Sequence, residues 1–263
     1  MKLISLNTWG GKNFDPLIKF VKKHKENTDI FCFQEIYDTK SEIKQHKNLA
    51  RANLLYELKI ILPKYKVFYF PIMQGYDEKT NPVNYDLRFG SAIFSRQAIR
   101  VTLHKNYFIY KDKGFEKPAK GFSNLSTPLQ KIEFNIGDKT FSIFNFHGTS
   151  YPAAKKDTRK RLKQSKRVKM IMDKSKGAKI LVGDFNLSKH TKSIRMFEGE
   201  MKNLIKEFKI KRTRSRLSPF FNKSNFQKFA DYTFVTSDVK VKSFEVPDVK
   251  ISDHLPMILE FTN

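Results

Sequence analysis

A chain of 263 residues, 40% hydrophobic and 14% aromatic, has ample material for a packed core, which excludes a mainly disordered protein. Lys and Arg number 51 against 26 Asp and Glu, a net charge of +25 that attracts polyanions, nucleic acid or an anionic surface. The same charge also fits lysines spread evenly over a solvated surface. With Cys32 the single cysteine, and buried in the apolar run Ile30-Phe31-Cys32-Phe33, an internal disulfide is excluded and an inert thiol is expected.

Residues 2 to 6 alternate as a strand does, and Asn7-Thr8-Trp9-Gly10-Gly11 supplies turn formers, so the first strand ends at Asn7. Its apolar stretch is too short for a secretory leader. No run approaches membrane-span length, so a cytoplasmic protein is expected. Asp15-Pro16 reads as an N-cap and first helical position, with Leu17, Phe20, Val21 and His24 along one face. Ile30 to Phe33 is an apolar run suited to a strand covered on both faces, stopping at Gln34-Glu35. Residues 46 to 61 carry Leu49, Asn53, Tyr56 and Ile60 at helical spacing, and 66–70 and 90–94 read as strands.

From Leu129 to Phe146 two runs flank Gly137-Asp138, a two-residue connection that predicts a hairpin and argues against a purely parallel sheet. Residues 157 to 174 predict a basic helix, with Leu162, Ser165, Lys169 and Met172 inward and Arg159, Lys163, Lys166 and Arg167 in water. Lys179 to Val182, Ala230 to Val235 and Met257 to Phe261 are the last predicted strands, while 107–122 fits no periodic template and reads as a long loop. Without a linker or internal repeat, one domain over 1–263 is expected.

Polar groups recur where these strands end: Asn7, Glu35, His147, Asp184, Asn186, Asp231 and the pair Asp253-His254. Strand ends are where loops build sites on a rigid scaffold. Singly, each group also fits a structural role, such as a turn at Asp184-Phe185-Asn186 or a loop histidine at His147. Together they form a mixture of hard oxygen ligands and histidines that suits Mg²⁺ and phosphate better than structural zinc.

In order and local sequence the chain resembles the endonuclease/exonuclease/phosphatase family, the DNase I-like superfamily. The matching segments are Leu6-Asn7-Thr8-Trp9, Phe33-Gln34-Glu35, Gly90 to Ser95, Asn145-Phe146-His147, Gly183-Asp184-Phe185-Asn186, Asp231-Tyr232 and Ser252-Asp253-His254-Leu255-Pro256. The resemblance implies an α/β fold, a four-layer α/β/β/α sandwich of two mixed sheets covered by helices, and a monomer as the default state. It implies Mg²⁺, with Mn²⁺ as a substitute, held by Glu35 with Asn7 and with Asp253 in the shell. It further implies Asp184 as general base, Asn186 holding water or phosphate, His147 as a phosphate donor, and His254 as a second donor oriented and kept protonated by Asp231. His147 stands where the family's apurinic endonucleases carry tyrosine, which leans away from abasic-site cleavage.

A phosphodiesterase or nuclease acting on nucleic acid is the leading expectation. The alternative is a phosphatase or sphingomyelinase-like phospholipase on a small or lipid phosphoester. A non-catalytic nucleic-acid binder would have lost members of the set Glu35, Asp184 and His254, and none is missing. Outside the main set, Arg161 and Gln164 follow the histidine motif in a loose Arg-x-x-Gln pattern that fits surface or packing roles, and Trp9 fits either substrate stacking or core.

Overall fold

The computed structural model describes residues 1–262 except 43, 46–48, 111–113, 116, 120 and 121. Two six-stranded mixed sheets stack face to face. The first has the order β11(Lys240–Glu245), β12(Met257–Thr262), β1(Lys2–Asn7), β2(Ile30–Asp38), β4(Arg88–Arg96), β3(Tyr65–Gln74). The second has the order β5(Val101–Phe108), β6(Pro128–Ile136), β7(Lys139–His147), β8(Ala178–Asp184), β10(Asp231–Thr236), β9(Met201–Asn203).

Side chains alternate across each sheet, so each face buries a different set. Leu3, Ile30, Cys32 and Ile93 of the first sheet meet Ile132, Ile143, Ile180 and Val182 of the second in one shared core. The opposite face of the first sheet, with Ile4, Leu6, Phe31 and Phe33, takes Leu17, Phe20 and Val21 of α1(Phe14–His24) and Leu54, Leu55 and Leu58 of α2(Leu54–Ile61). The second sheet is covered by Val168 and Met172 of α3(Arg159–Asp173) and by Ile194 and Phe197 of α4(Lys192–Glu198). This is the expected four-layer arrangement. A further short helix, α5(Leu204–Glu207), follows β9. No helix among the described residues is long and apolar enough to cross a membrane.

The first helix starts at Phe14 behind Asn13, leaving Asp15 and Pro16 inside its first turn, where a carboxylate favours the positive helix end. The helix expected from residue 46 begins at Leu54, and residues 46–48 lie outside the described set. On α3 the buried stripe is Arg161, Gln164, Ser165, Val168 and Met172, with Leu162 and Lys169 only part-buried. Of the expected loop at 107–122, Tyr107 and Phe108 end β5, residues 109, 110, 114, 115 and 117–119 lack helix or strand, and residues 111–113, 116, 120 and 121 lie outside the described set.

The chain's β2 does not stop at Gln34. It runs to Asp38 through a bulge, where the register against β4 shifts between Phe33 and Ile36 and Glu35 takes φ 58°. A bulge leaves one residue unpaired and re-aims its side chain. Gln34 is fixed beside it by a buried polar network that bridges the sheets. Its Nε2 donates to Asn145 Oδ1 at 2.6 Å and to the Cys32 carbonyl at 3.1 Å. Asn145 Nδ2 donates to the Phe33 carbonyl at 3.2 Å and to Gln130 Oε1 at 3.1 Å, and Gln130 Nε2 donates to the Phe68 carbonyl at 2.9 Å. Buried amides left without partners cost far more than such bonds return in water. Asn145→Leu, which orphans groups on Gln34 and Gln130, is expected to destabilise the protein by about 3 kcal/mol in chemical denaturation.

Candidate active site

The sheet topology gathers the polar strand ends. β1 pairs parallel with β2, and β7 with β8, so Asn7 and Gln34 lie side by side in one sheet and His147 and Asp184 in the other. β10 runs antiparallel to β8 and begins opposite its end, with Asp231 paired to Asp184. β12 is antiparallel to β1, its Met257 opposite Ser5, which brings Asp253 and His254 to the same rim. Ser252 ties them down by donating from Oγ to the Asn7 carbonyl at 2.7 Å.

Asp184 is the hub. Its Oδ2 accepts from Asn7 Nδ2 at 3.0 Å and from Asn186 Nδ2 at 3.1 Å, and its Oδ1 accepts from the Asn186 backbone N–H at 2.8 Å. The Nε2 atoms of His254 and His147 stand 3.6 and 3.8 Å from Oδ2. Burial opposes ionisation of this carboxyl, but attraction from His254, charged in the acid range where this carboxyl titrates, then from His147 and Lys155, overcomes it and holds the pKa below the usual carboxylate value. The turn works because Asn186 adopts φ 54°, a left-handed conformation that Asn tolerates, which lets its Nδ2 also reach the Gly148 carbonyl at 3.0 Å.

Across the cleft, Glu35 Oε1 accepts from Asn7 Nδ2 at 2.9 Å and lies 3.8 Å from His147 Nε2. Burial raises the Glu35 pKa, and the Asn7 hydrogen bond works against that. Asn7 Oδ1 is engaged by the Trp9 backbone N–H at 3.0 Å, so the amide presents its nitrogen to the two carboxylates and orients them. Trp9 itself is part-buried.

His254 Nδ1 lies 2.8 Å from both oxygens of Asp231. The pairing does not keep the imidazole protonated, contrary to expectation: burial, then the Arg214 charge, lower His254 to about 4. Arg214 Nη1 donates to His254 Nε2 at 2.6 Å, which requires a neutral ring with its proton on Nδ1. Burial and the Asp184 charge push Asp231 well up. Asp253 is likewise engaged by Arg214, whose Nη2 donates to its Oδ2 at 2.7 Å. In this arrangement Asp253 is the ion-pair partner of Arg214, with its Oδ1 3.8 Å from the Nε2 of His254, a member of the groups suited to a metal.

Those groups, among the described residues, are Glu35 with His147 and Asp184, and Asp184 with Asp231 and His254, each offering ligand atoms within 4.8 Å of one another. Carboxylate oxygens from Glu35 and Asp184 form a hard donor set that fits a divalent cation such as Mg²⁺.

Two cationic residues at this rim escaped the sequence. Lys155 is in contact with Asn186 through an Nζ-to-Oδ1 hydrogen bond, and burial lowers its pKa to about 8. Arg214, bridged to His254, is the other. Both sit in aperiodic stretches among 51 basic residues, with no local signal to mark them. Arg161, by contrast, had a motif to mark it and proves buried. It donates to the carbonyls of Pro152 at 2.7 Å and Lys156 at 2.8 Å, bracing the segment that carries Lys155.

A face-to-face sandwich with carboxylate, amide and imidazole groups gathered on one rim is the architecture of phosphoesterases of the DNase I-like class. The profile of the Endonuclease/Exonuclease/phosphatase family matches residues 4–254, and the chain belongs to that family, whose members are hydrolases generally dependent on a divalent metal. Among solved structures it is similar to the Bacteroides thetaiotaomicron VPI-5482 mannosyl-6-phosphatase, 18% identical with TM-score 0.69 over all of both chains. It is also similar to the human Nocturnin catalytic domain with bound sulfate anion, 15% identical with TM-score 0.68 over 100% of this chain and 93% of that one. A humanized D. rerio TDP2 is 12% identical, with TM-score 0.69 over 100% and 99%. No curated protein matches the chain.

Proposed function

We propose that this protein is a Mg²⁺-dependent phosphodiesterase that acts on nucleic acid, as a monomer in the cytoplasm. The observation that carries the hydrolase reading is Asp184, a buried carboxylate oriented by Asn7 and Asn186 and facing Glu35, His147 and His254. Asp184 orients and deprotonates the attacking water, with the Asn186 amide steering it. Glu35, braced by Asn7, would hold the cation, which would neutralise charge on the phosphate oxygens. His147 and Arg214 receive the phosphate oxygens. Arg214 is a permanent cation, suited to a planar two-point contact, and it stands in front of the His254 nitrogen.

Nucleic acid is favoured over a small sugar phosphate by the net charge of +25 and by Lys155 and Arg214 together at the rim. The test compares kcat/KM for single- and double-stranded DNA, RNA, a 5′-tyrosyl-DNA conjugate, mannose 6-phosphate, sphingomyelin and an inositol phosphate. Preference for a nucleic acid, weakening steeply with added salt, is expected; preference for a sugar, lipid or inositol phosphoester overturns the nucleic-acid assignment.

Lys155 gives the reaction an alkaline limb. Its charge is present below its pKa of about 8 and lost above it, and kcat/KM reports the free enzyme. The profile is therefore expected to fall above about 8. Lys155→Arg, which stays charged, removes that alkaline limb, and Lys155→Gln lowers kcat/KM roughly tenfold at neutral pH.

A further inference from the structure

A cavity of about 630 Å³ opens beside Lys155 and Arg214, walled on one side by residues of the 150–156 segment and on the other by residues between 214 and 230. The chemistry assigned above uses its two cations and leaves the rest without a role. Tyr151 and Phe220 line it with 52% and 44% of their surface exposed, and Lys223 Nζ stands 5.4 Å from the Phe220 ring centroid. Phe226 lies behind, fixed edge-to-face on Phe221 with ring centroids 5.1 Å apart.

The amides of Asn225 and Gln227 complete the wall. Gln227 is held in place by accepting from Ser188 Oγ at 3.1 Å and donating to the Asn225 carbonyl at 3.2 Å. The cavity therefore offers two cations, Lys155 and Arg214, which also contact Asn186 and His254 of the site, together with aromatic faces and amides. Its size is that of a small-molecule site, too small for a duplex.

We propose that this cavity is a nucleoside subsite. It takes the base and sugar of one nucleotide, stacked on Tyr151 or Phe220, while Lys155 and Arg214 hold its phosphate toward Asp184. This rests on the phosphoester hydrolase reading and narrows it to single nucleotides, either free or at a strand end, rather than the interior of a duplex. Base stacking on an aromatic side chain is sequence-tolerant and strong enough to set affinity.

The test is calorimetric titration of the wild-type protein with AMP and with ribose 5-phosphate, once with Mg²⁺ and once with EDTA, repeated on Tyr151→Ala and Phe220→Ala. AMP is expected to bind at least about tenfold more tightly than ribose 5-phosphate. At least one of the two alanine variants should erase most of that difference, with ribose 5-phosphate affinity unchanged. Equal affinities for the two ligands, no AMP binding in either condition, or a difference untouched by both variants would overturn the subsite. A linear oligonucleotide that displaces AMP identifies a strand end as the source, and displacement by mononucleotides alone identifies free nucleotide. Base selectivity without any hydrolysis would support the subsite and count against the hydrolase reading, whereas hydrolysis without base selectivity would do the reverse.

Discussion

Asp184→Asn is expected to lower kcat by about 10²- to 10⁴-fold, the usual contribution of a positioned general base, with the fold intact. The substitution keeps size and shape and leaves one side-chain oxygen for Asn7 Nδ2 and Asn186 Nδ2, which both donate to Oδ2, at the expense of the Asn186 backbone N–H bond to Oδ1. It removes the only feature a water needs for deprotonation. The Asp184 pKa lies below the usual carboxylate value, so the group is ionised at neutral pH and the loss is of a working base. Stopped-flow or steady-state rates beside a circular-dichroism melt separate the chemical effect from unfolding. A variant that folds normally and retains full activity would remove Asp184 from the reaction.

Glu35→Gln carries the second large effect. The bulge in β2 leaves Glu35 unpaired at φ 58° and aims its carboxylate at Asp184 and His147, where Asn7 holds it. Gln retains an oxygen for that amide but loses the negative charge a hard cation requires. Mg²⁺ at 100 times its Kd stabilises a protein by about 2.7 kcal/mol, so Mg²⁺ should raise the wild-type Tm by about 5–10 °C. In Glu35→Gln that rise should vanish, together with at least about a hundredfold of the rate. An unchanged Mg²⁺-dependent shift in the variant would place the cation elsewhere.

The groups that build the site were legible because each lies at or next to the end of a strand whose interior is apolar. Asn7, His147 and Asp184 close β1, β7 and β8, Asp231 opens β10, and Asp253-His254 sits just before β12. Parallel pairing of β1 with β2 and of β7 with β8 then brings separate sequence motifs to one rim. Glu35 was legible as a residue but not as a bulge, since the apolar run hides that the strand resumes at Ile36.

Strands β5, β9 and β11, each at the edge of its sheet with one neighbour, went unread: β5 and β11 bury too little for apolar periodicity to show, and β9 is only three residues long. The ionisation of His254 was also out of reach. Asp231 alone implies a protonated ring, and only the fold places Arg214, 40 residues away in sequence, against its other nitrogen.

The most direct test of the central claim is hydrolysis of the preferred phosphoester by the wild-type protein in Mg²⁺, in EDTA, and in EDTA followed by excess Mg²⁺, beside Asp184→Asn. Turnover that is lost in EDTA, restored by Mg²⁺ and reduced by at least about a hundredfold in Asp184→Asn is the predicted result. Turnover that persists in EDTA, or that Asp184→Asn performs as well as wild type, would contradict the account.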